Sequence, residues 1–116
     1  MAQRSAFWDD HARNMDDPEY RHHFVLQSAR IAAIDDLVNR LDELRVAQGM
    51  SKATLARAIE RDPASVRRLL TAQQINPTLS MIADLAAALG YRLNLEPLDD
   101  DARAEVTEPL RDLVSS

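Results

Sequence analysis

The sequence predicts an all-α fold. Only two glycines and 4% aromatic residues occur in 116, the chain is rich in Ala, Leu and Arg, and its apolar residues recur at steps of three and four. Strong helix formers at that spacing, with few turn residues between them, favour helices almost throughout. The length is that of one domain with room for a tail, and 46% hydrophobic residues provide a core. Cysteine is absent, which excludes disulfides and thiolate metal sites and fits a reducing compartment. The N-terminal stretch lacks the apolar core of a signal peptide, and no run reaches the roughly 18 apolar residues of a membrane span. A cytoplasmic protein with no membrane partner is expected.

Taken in order, residues 1–16 are polar with Phe7 and Trp8 as bulky anchors, and they read as a partly ordered arm packed on the domain. Asp17, Pro18 and Glu19 then form a sound helix start, with Tyr20 and Phe24 following at helical spacing. Ile31, Ile34, Leu37, Val38, Leu41 and Leu44 line one side of a second helix, 31–47, and Asp35, Asp36, Arg40, Asp42 and Glu43 line the other. Nothing near Arg30 shows whether the two are continuous. Gly49 is placed to terminate the second. Three short helices follow: Ser51 caps KATLARAIE, Asp62 caps PASVRRLL with Pro63 at its first position, and Thr78 caps LSMIADLAAAL, which Gly90 stops. In YRLNLEPL, Tyr91, Leu93 and Leu95 alternate with Arg92, Asn94 and Glu96. That is one strand, which needs a partner, and pairing across a homodimer is the economical one. The tail from Asp99 reads as a solvated acidic run, with a short terminal helix as the alternative. The expected organisation is an arm and helix over 1–30, a five-helix domain with its strand ending at 98, and a tail over 99–116.

Charge is distributed unevenly. Residues 1–44 carry five Arg against nine acids, a balance of −4, and residues 96–116 carry two Arg against seven acids, a balance of −5. Between them, residues 45–70 hold Arg45, Lys52, Arg57, Arg61, Arg67 and Arg68 against Glu60 and Asp62, a balance of +4. A basic block inside an acidic chain implies separate faces with separate partners.

The helices at 51–60 and 62–70 are joined by almost nothing. A tight corner of this kind needs a small residue where the helices cross, and Ala56 is one. It also needs inward apolar residues, here Leu55 and Ile59 from the first helix and Val66 and Leu69 from the second. Such a helix-turn-helix corner places its second helix in the DNA major groove. With those residues inward, Ala64, Arg67, Arg68 and Thr71 fall outward, with Arg61 and Ser65 at the margins. Ser51 and Lys52, at the start of the first helix, are placed to meet a phosphate.

At these residues the chain resembles a known family. The stretch from Ile31 to Leu95, with Gly49-Met50-Ser51, Leu55-Ala56, Ile59, Val66, Leu69, Asn76-Pro77-Thr78-Leu79 and IADLAAALGYRL, is similar to the Cro/C1-type (XRE) helix-turn-helix domain. The acidic preface DDPEYRHHF and the terminal strand resemble antitoxins of the HigA type. The resemblance implies a dimeric repressor on double-stranded operator DNA and, in its narrower form, a basic RNA-cleaving toxin as a second partner. A stand-alone repressor and a protein-interaction adaptor on the same fold are the alternatives. The family usually has glycine where Glu60 stands, so Glu60 either bears left-handed strain or adopts a different turn. It often has glutamine where Lys52 and Pro63 stand. Proline cannot hydrogen-bond to a base, so base reading shifts to Arg67 and Arg68.

Other constellations point to less. Adjacent His22 and His23 diverge by about 100° on a helix and do not chelate together. Asp99-Asp100-Asp101 lacks the glycine and spaced ligands of a calcium loop. With no Gly-rich phosphate loop and no histidine placed as a base, neither an enzyme nor a cofactor is expected.

Overall fold

The computed structural model describes the backbone of residues 2–71 and 76–115 and the side chains of residues 8–71 and 76–112. Helices dominate: α1 (Ala2–Asn14), α2 (Pro18–Ala47), α3 (Lys52–Ala58), α4 (Pro63–Leu70) and α5 (Leu79–Ala88), then α6 (Asp100–Ala102), a π-helical segment (Arg103–Thr107) and α7 (Glu108–Ser115). The chain divides into two compact units, residues 31–96 and the two ends, 1–30 with 97–116.

In residues 31–96, the core is built from Val38 and Leu41 of α2, Leu55 and Ala56 of α3, Val66, Leu69 and Leu70 of α4, and Met81, Ile82, Leu85 and Ala86 of α5, with Leu89 after it. Leu55, Ala56, Val66, Leu69 and Leu85 are 0% exposed. Ile34, Leu37, Leu44, Met50 and Ile59 pack around this core as half-buried residues. Ile31, expected on the inward face, is 45% exposed. Periodicity gives a helix face its direction but not the point where the core beneath it stops.

Helix ends follow the sequence signals, except that Asp62 precedes α4 without a side-chain capping bond. Ser51 Oγ accepts from Thr54 N–H at 3.0 Å and Thr78 Oγ1 accepts from Met81 N–H at 3.1 Å, each satisfying an orphan donor of a first turn. Three helices end in the same way. After α2, Met50 N–H bonds to Arg45 O and Gly49 N–H to Val46 O; after α5, Tyr91 N–H bonds to Ala86 O and Gly90 N–H to Ala87 O. After α3, Arg61 N–H bonds to Ala56 O and Glu60 N–H to Arg57 O. Each pair is a Schellman motif, which requires a left-handed residue. Gly49 (φ 69°) and Gly90 (φ 86°) enter that region freely, whereas Glu60 (φ 55°) enters it with a Cβ. Of the two possibilities at Glu60, the left-handed conformation is the one adopted.

The end unit departs from expectation in several places. Residues 2–14 form a helix rather than a loose arm: the segment contains no Gly, Pro or β-branched residue, and Pro18 disfavours a helical conformation at Asp17. Phe7 lies outside the described side chains. His11 Nδ1 is 3.0 Å from Tyr20 Oη, and its ring packs on Phe24 (centroids 4.5 Å) and edge-on to Trp8 (5.9 Å). α2 is one continuous helix of 30 residues through Arg30.

Two expectations about the C-terminal region are corrected. Among the described residues there is no strand, and Tyr91–Leu95 carries no regular structure. Alternation predicts a pleat only where another strand completes the hydrogen bonds, and residues 92–98 make no backbone hydrogen bond to any described segment. The tail is helical rather than an unstructured acidic run. Asp99 Oδ1 accepts from Ala102 N–H at 2.8 Å, and Asp100 and Asp101 sit in the first turn, where the helix dipole favours negative charge. The π-helical turn lies just before Pro109, which has no N–H for the Glu105 carbonyl and a ring that crowds it.

Glu60→Gly removes about 1 kcal/mol of left-handed strain, partly offset by the greater entropy of glycine in the unfolded chain. We expect it to raise the Tm by a few degrees in a circular-dichroism melt, and Glu60→Val to lower it. Leu69→Ala is expected to cost about 2–5 kcal/mol and to flatten the melt at ordinary temperature.

Candidate nucleic-acid interface

The corner is formed by α3 and α4, joined by Ile59 to Asp62. Ala56 of α3 and Val66 and Leu69 of α4 are fully buried in one core cluster, and a small residue at 56 favours close approach of packed helices. Pro63 opens α4 with its φ already helical. With Val66, Leu69 and Leu70 buried, the outward side of α4 consists of exposed Pro63, Arg67 and Arg68, with Ala64 and Ser65 half-buried.

The structure treats the expected contact residues differently. Ser51 is exposed, but its hydroxyl is engaged as the α3 cap and donates to Thr54 Oγ1 at 2.9 Å. Lys52 is half-buried in the first turn of α3. Thr71 is exposed at the C-terminal end of α4, and its Oγ1 donates to the Arg67 carbonyl at 2.7 Å. Arg61 turns toward α5: its Nη2 donates to Ser80 Oγ at 3.0 Å and Asp84 Oδ2 at 3.1 Å, and its side chain is 32% exposed. Arg68 Nη2 donates to Ser65 Oγ at 3.3 Å, and Ser65 Oγ donates to Asp62 Oδ2 at 3.4 Å.

The basic block therefore separates into two groups. Arg45 donates to Asp42 Oδ1 at 2.9 Å and to the Met50 carbonyl at 2.7 Å, which pins the α2–α3 connection. Arg61 ties the corner to α5. These two cations are engaged within the domain. Among the described residues Lys52, Arg57, Arg67 and Arg68 form no ion pair, so their charge is directed to solvent or to a partner. Arg57 was not singled out from the sequence. It is exposed on α3 and donates to Thr54 Oγ1 at 3.3 Å, beside the Ser51 cap. Its place in the basic block, one turn after Thr54, was the available signal.

The remaining constellations are quickly placed. The His22 and His23 rings stand edge to face with centroids 6.0 Å apart. Among the described residues no group of three His, Asp or Glu is arranged to hold a metal ion, and no helix is long and apolar enough to cross a membrane.

A family model described as a helix-turn-helix domain matches residues 36–96. That span takes in the C-terminal part of α2 from residue 36, the α3–α4 corner and α5. No curated protein and no solved structure gives a significant match.

Because Arg61–Asp84 is a partly exposed pair, Asp84→Asn is expected to change stability by no more than about 1 kcal/mol. A urea titration of the two proteins measures this difference directly.

Proposed function

Because the chain belongs to the helix-turn-helix domain family, we propose that it is a sequence-specific binder of double-stranded DNA that represses transcription, a binding protein rather than an enzyme. The observation that carries this reading is the division of cations just described. The corner keeps Lys52 and Arg57 on its first helix and Arg67 and Arg68 on its second free of carboxylates among the described residues, while Arg45 and Arg61 are held internally. Cations left unneutralised on a major-groove reading element match the phosphate backbone, and arginine adds bidentate recognition of guanine. In this reading the protein acts as a homodimer, with two copies of α4 in successive major grooves roughly 34 Å apart on a palindromic operator. Exposed Leu79, Leu93 and Leu95 offer apolar surface for a second copy.

The narrower reading, an antitoxin that also neutralises a basic RNA-cleaving toxin, draws support from exposed Asp35, Asp36 and Glu43 on α2. Charge complementarity would bring such a partner to that face. Co-purification of a small basic protein encoded beside this chain supports it, and a solitary gene counts against it.

A gel shift with the chain's own upstream DNA tests the main reading. Arg67→Ala with Arg68→Ala is expected to abolish the shift and leave helicity unchanged. In a plot of log affinity against log salt, Lys52→Ala, Arg57→Ala and Arg67→Ala each reduce the slope by roughly 0.9, whereas Arg45→Gln and Arg61→Gln do not. Binding without any salt dependence excludes the phosphate contacts, and absence of DNA binding leaves the adaptor reading.

A further inference from the structure

We propose that Arg68, and not its neighbour Arg67, is the base-reading arginine of this chain, with Ser65 and Asp62 as its positioning residues. The inference rests on the DNA-binding reading and adds an unequal division of labour between adjacent cations. Residues 62, 65 and 68 are spaced at three-residue steps and so form one ridge of α4. Along that ridge Arg68 Nη2 donates to Ser65 Oγ at 3.3 Å, and Ser65 Oγ donates to Asp62 Oδ2 at 3.4 Å. Asp62 stands at the N-cap, where a carboxylate ordinarily accepts a backbone N–H of the first turn, yet its side chain makes no capping bond. Its carboxylate faces the serine hydroxyl instead.

The direction of this relay matters. Side chains on a helix lean toward its N-terminus, and the bond to Ser65 draws the Arg68 guanidinium over the first turn of α4. That is the end of a recognition helix that meets base edges. The other first-turn side chains, Pro63 and Ala64, have no hydrogen-bonding group. Arg68 brings to that turn the chemistry they lack. Only one of its five N–H donors is engaged by Ser65, so the bidentate edge needed for guanine O6 and N7 remains available. Asp62, two bonds behind it, repels phosphate and disfavours sequence-independent contacts at the same place. Arg67 has neither restraint: it is exposed and its side chain makes no hydrogen bond among the described residues. An exposed, unbuttressed arginine suits a phosphate, which is approached from many directions.

The experiment selects binding sites from a pool of randomised 40-base-pair duplexes with the full chain. Affinities are then measured by fluorescence anisotropy for the enriched duplex and for a scrambled one. Ser65→Ala is expected to lower the ratio of the two affinities about tenfold, while leaving affinity for the scrambled duplex, its salt slope and the Tm unchanged. Ser65→Thr, which keeps a hydroxyl, restores the ratio. Asp62→Asn lowers the ratio and raises affinity for the scrambled duplex. Arg67→Ala weakens both duplexes alike and reduces the salt slope by about one. A Ser65→Ala protein that keeps its ratio, or loses both affinities equally, overturns the assignment while DNA binding stands. A wild-type chain that enriches no sequence overturns the DNA-reading proposal and this one with it.

Discussion

The packing of α3 against α4 through a shared set of fully buried side chains is what the remainder of residues 31–96 depends on. Ala56 is fully buried in the same core cluster as Val66 and Leu69, themselves fully buried. A larger residue there separates the helices, and shorter residues at 66 or 69 leave a void that a close-packed interior does not fill. With the crossing set, the outward residues of α4 are set too, because a helix that buries Val66, Leu69 and Leu70 has no freedom to choose which residues it exposes. The position of Arg67 and Arg68 is thus a consequence of apolar packing on the opposite side of the same helix.

Electrostatics is layered on that frame in two different ways. Arg45 and Arg61 act inward, each satisfying a carboxylate and a second oxygen, Arg45 at the end of α2 and Arg61 between the corner and α5. Gln48 adds a third tie, donating from Nε2 to the Leu89 carbonyl at 2.8 Å across the two helix ends. The other cations of the same basic stretch carry no such duty. Formal charge counted along the sequence therefore overstates what the corner presents to a polyanion, and the correction comes from tertiary partners.

Legibility in the sequence followed the range of the interactions involved. The caps at Ser51 and Thr78, the glycine stops and the inward pattern at 55, 56, 59, 66 and 69 are local and could be read directly, whereas the capping bond expected of Asp62 is absent. The conflict at Glu60 came from the family resemblance, which places glycine in that turn, and left two outcomes open until φ was known. The engagement of Arg61 was hidden because Asp84 lies 23 residues away, and nothing in a basic run tells a structural arginine from a free one. The strand at 91–95 was misread for the same reason: alternation is local, but the hydrogen bonds that make a strand are not. The acidic tail misled by composition, because Asp99, Asp100 and Asp101 serve to start a helix as readily as to solvate a loop. On α4, the inward pattern placed Ala64, Ser65, Arg67 and Arg68 on the outward side, but the relay from Arg68 through Ser65 to Asp62 depends on rotamers that spacing alone does not reveal.

Glu60 has a further consequence for the kinetics of finding a site. Its exposed carboxylate, with that of Asp62, sits in the connection between the two helices that carry the free cations. Long-range attraction to any duplex is weakened by those two negative charges, whereas hydrogen bonds to base edges act only at contact and are untouched by them. If the chain reads DNA as proposed, residence on wrong sequences would be shortened more than residence on the right one, and a protein that leaves wrong sequences sooner would sample more of them in a given time. A glycine in the turn relaxes the backbone but also strengthens the hold on every sequence encountered. On the proposed DNA-binding reading, the strained residue would favour turnover during the search over tenacity.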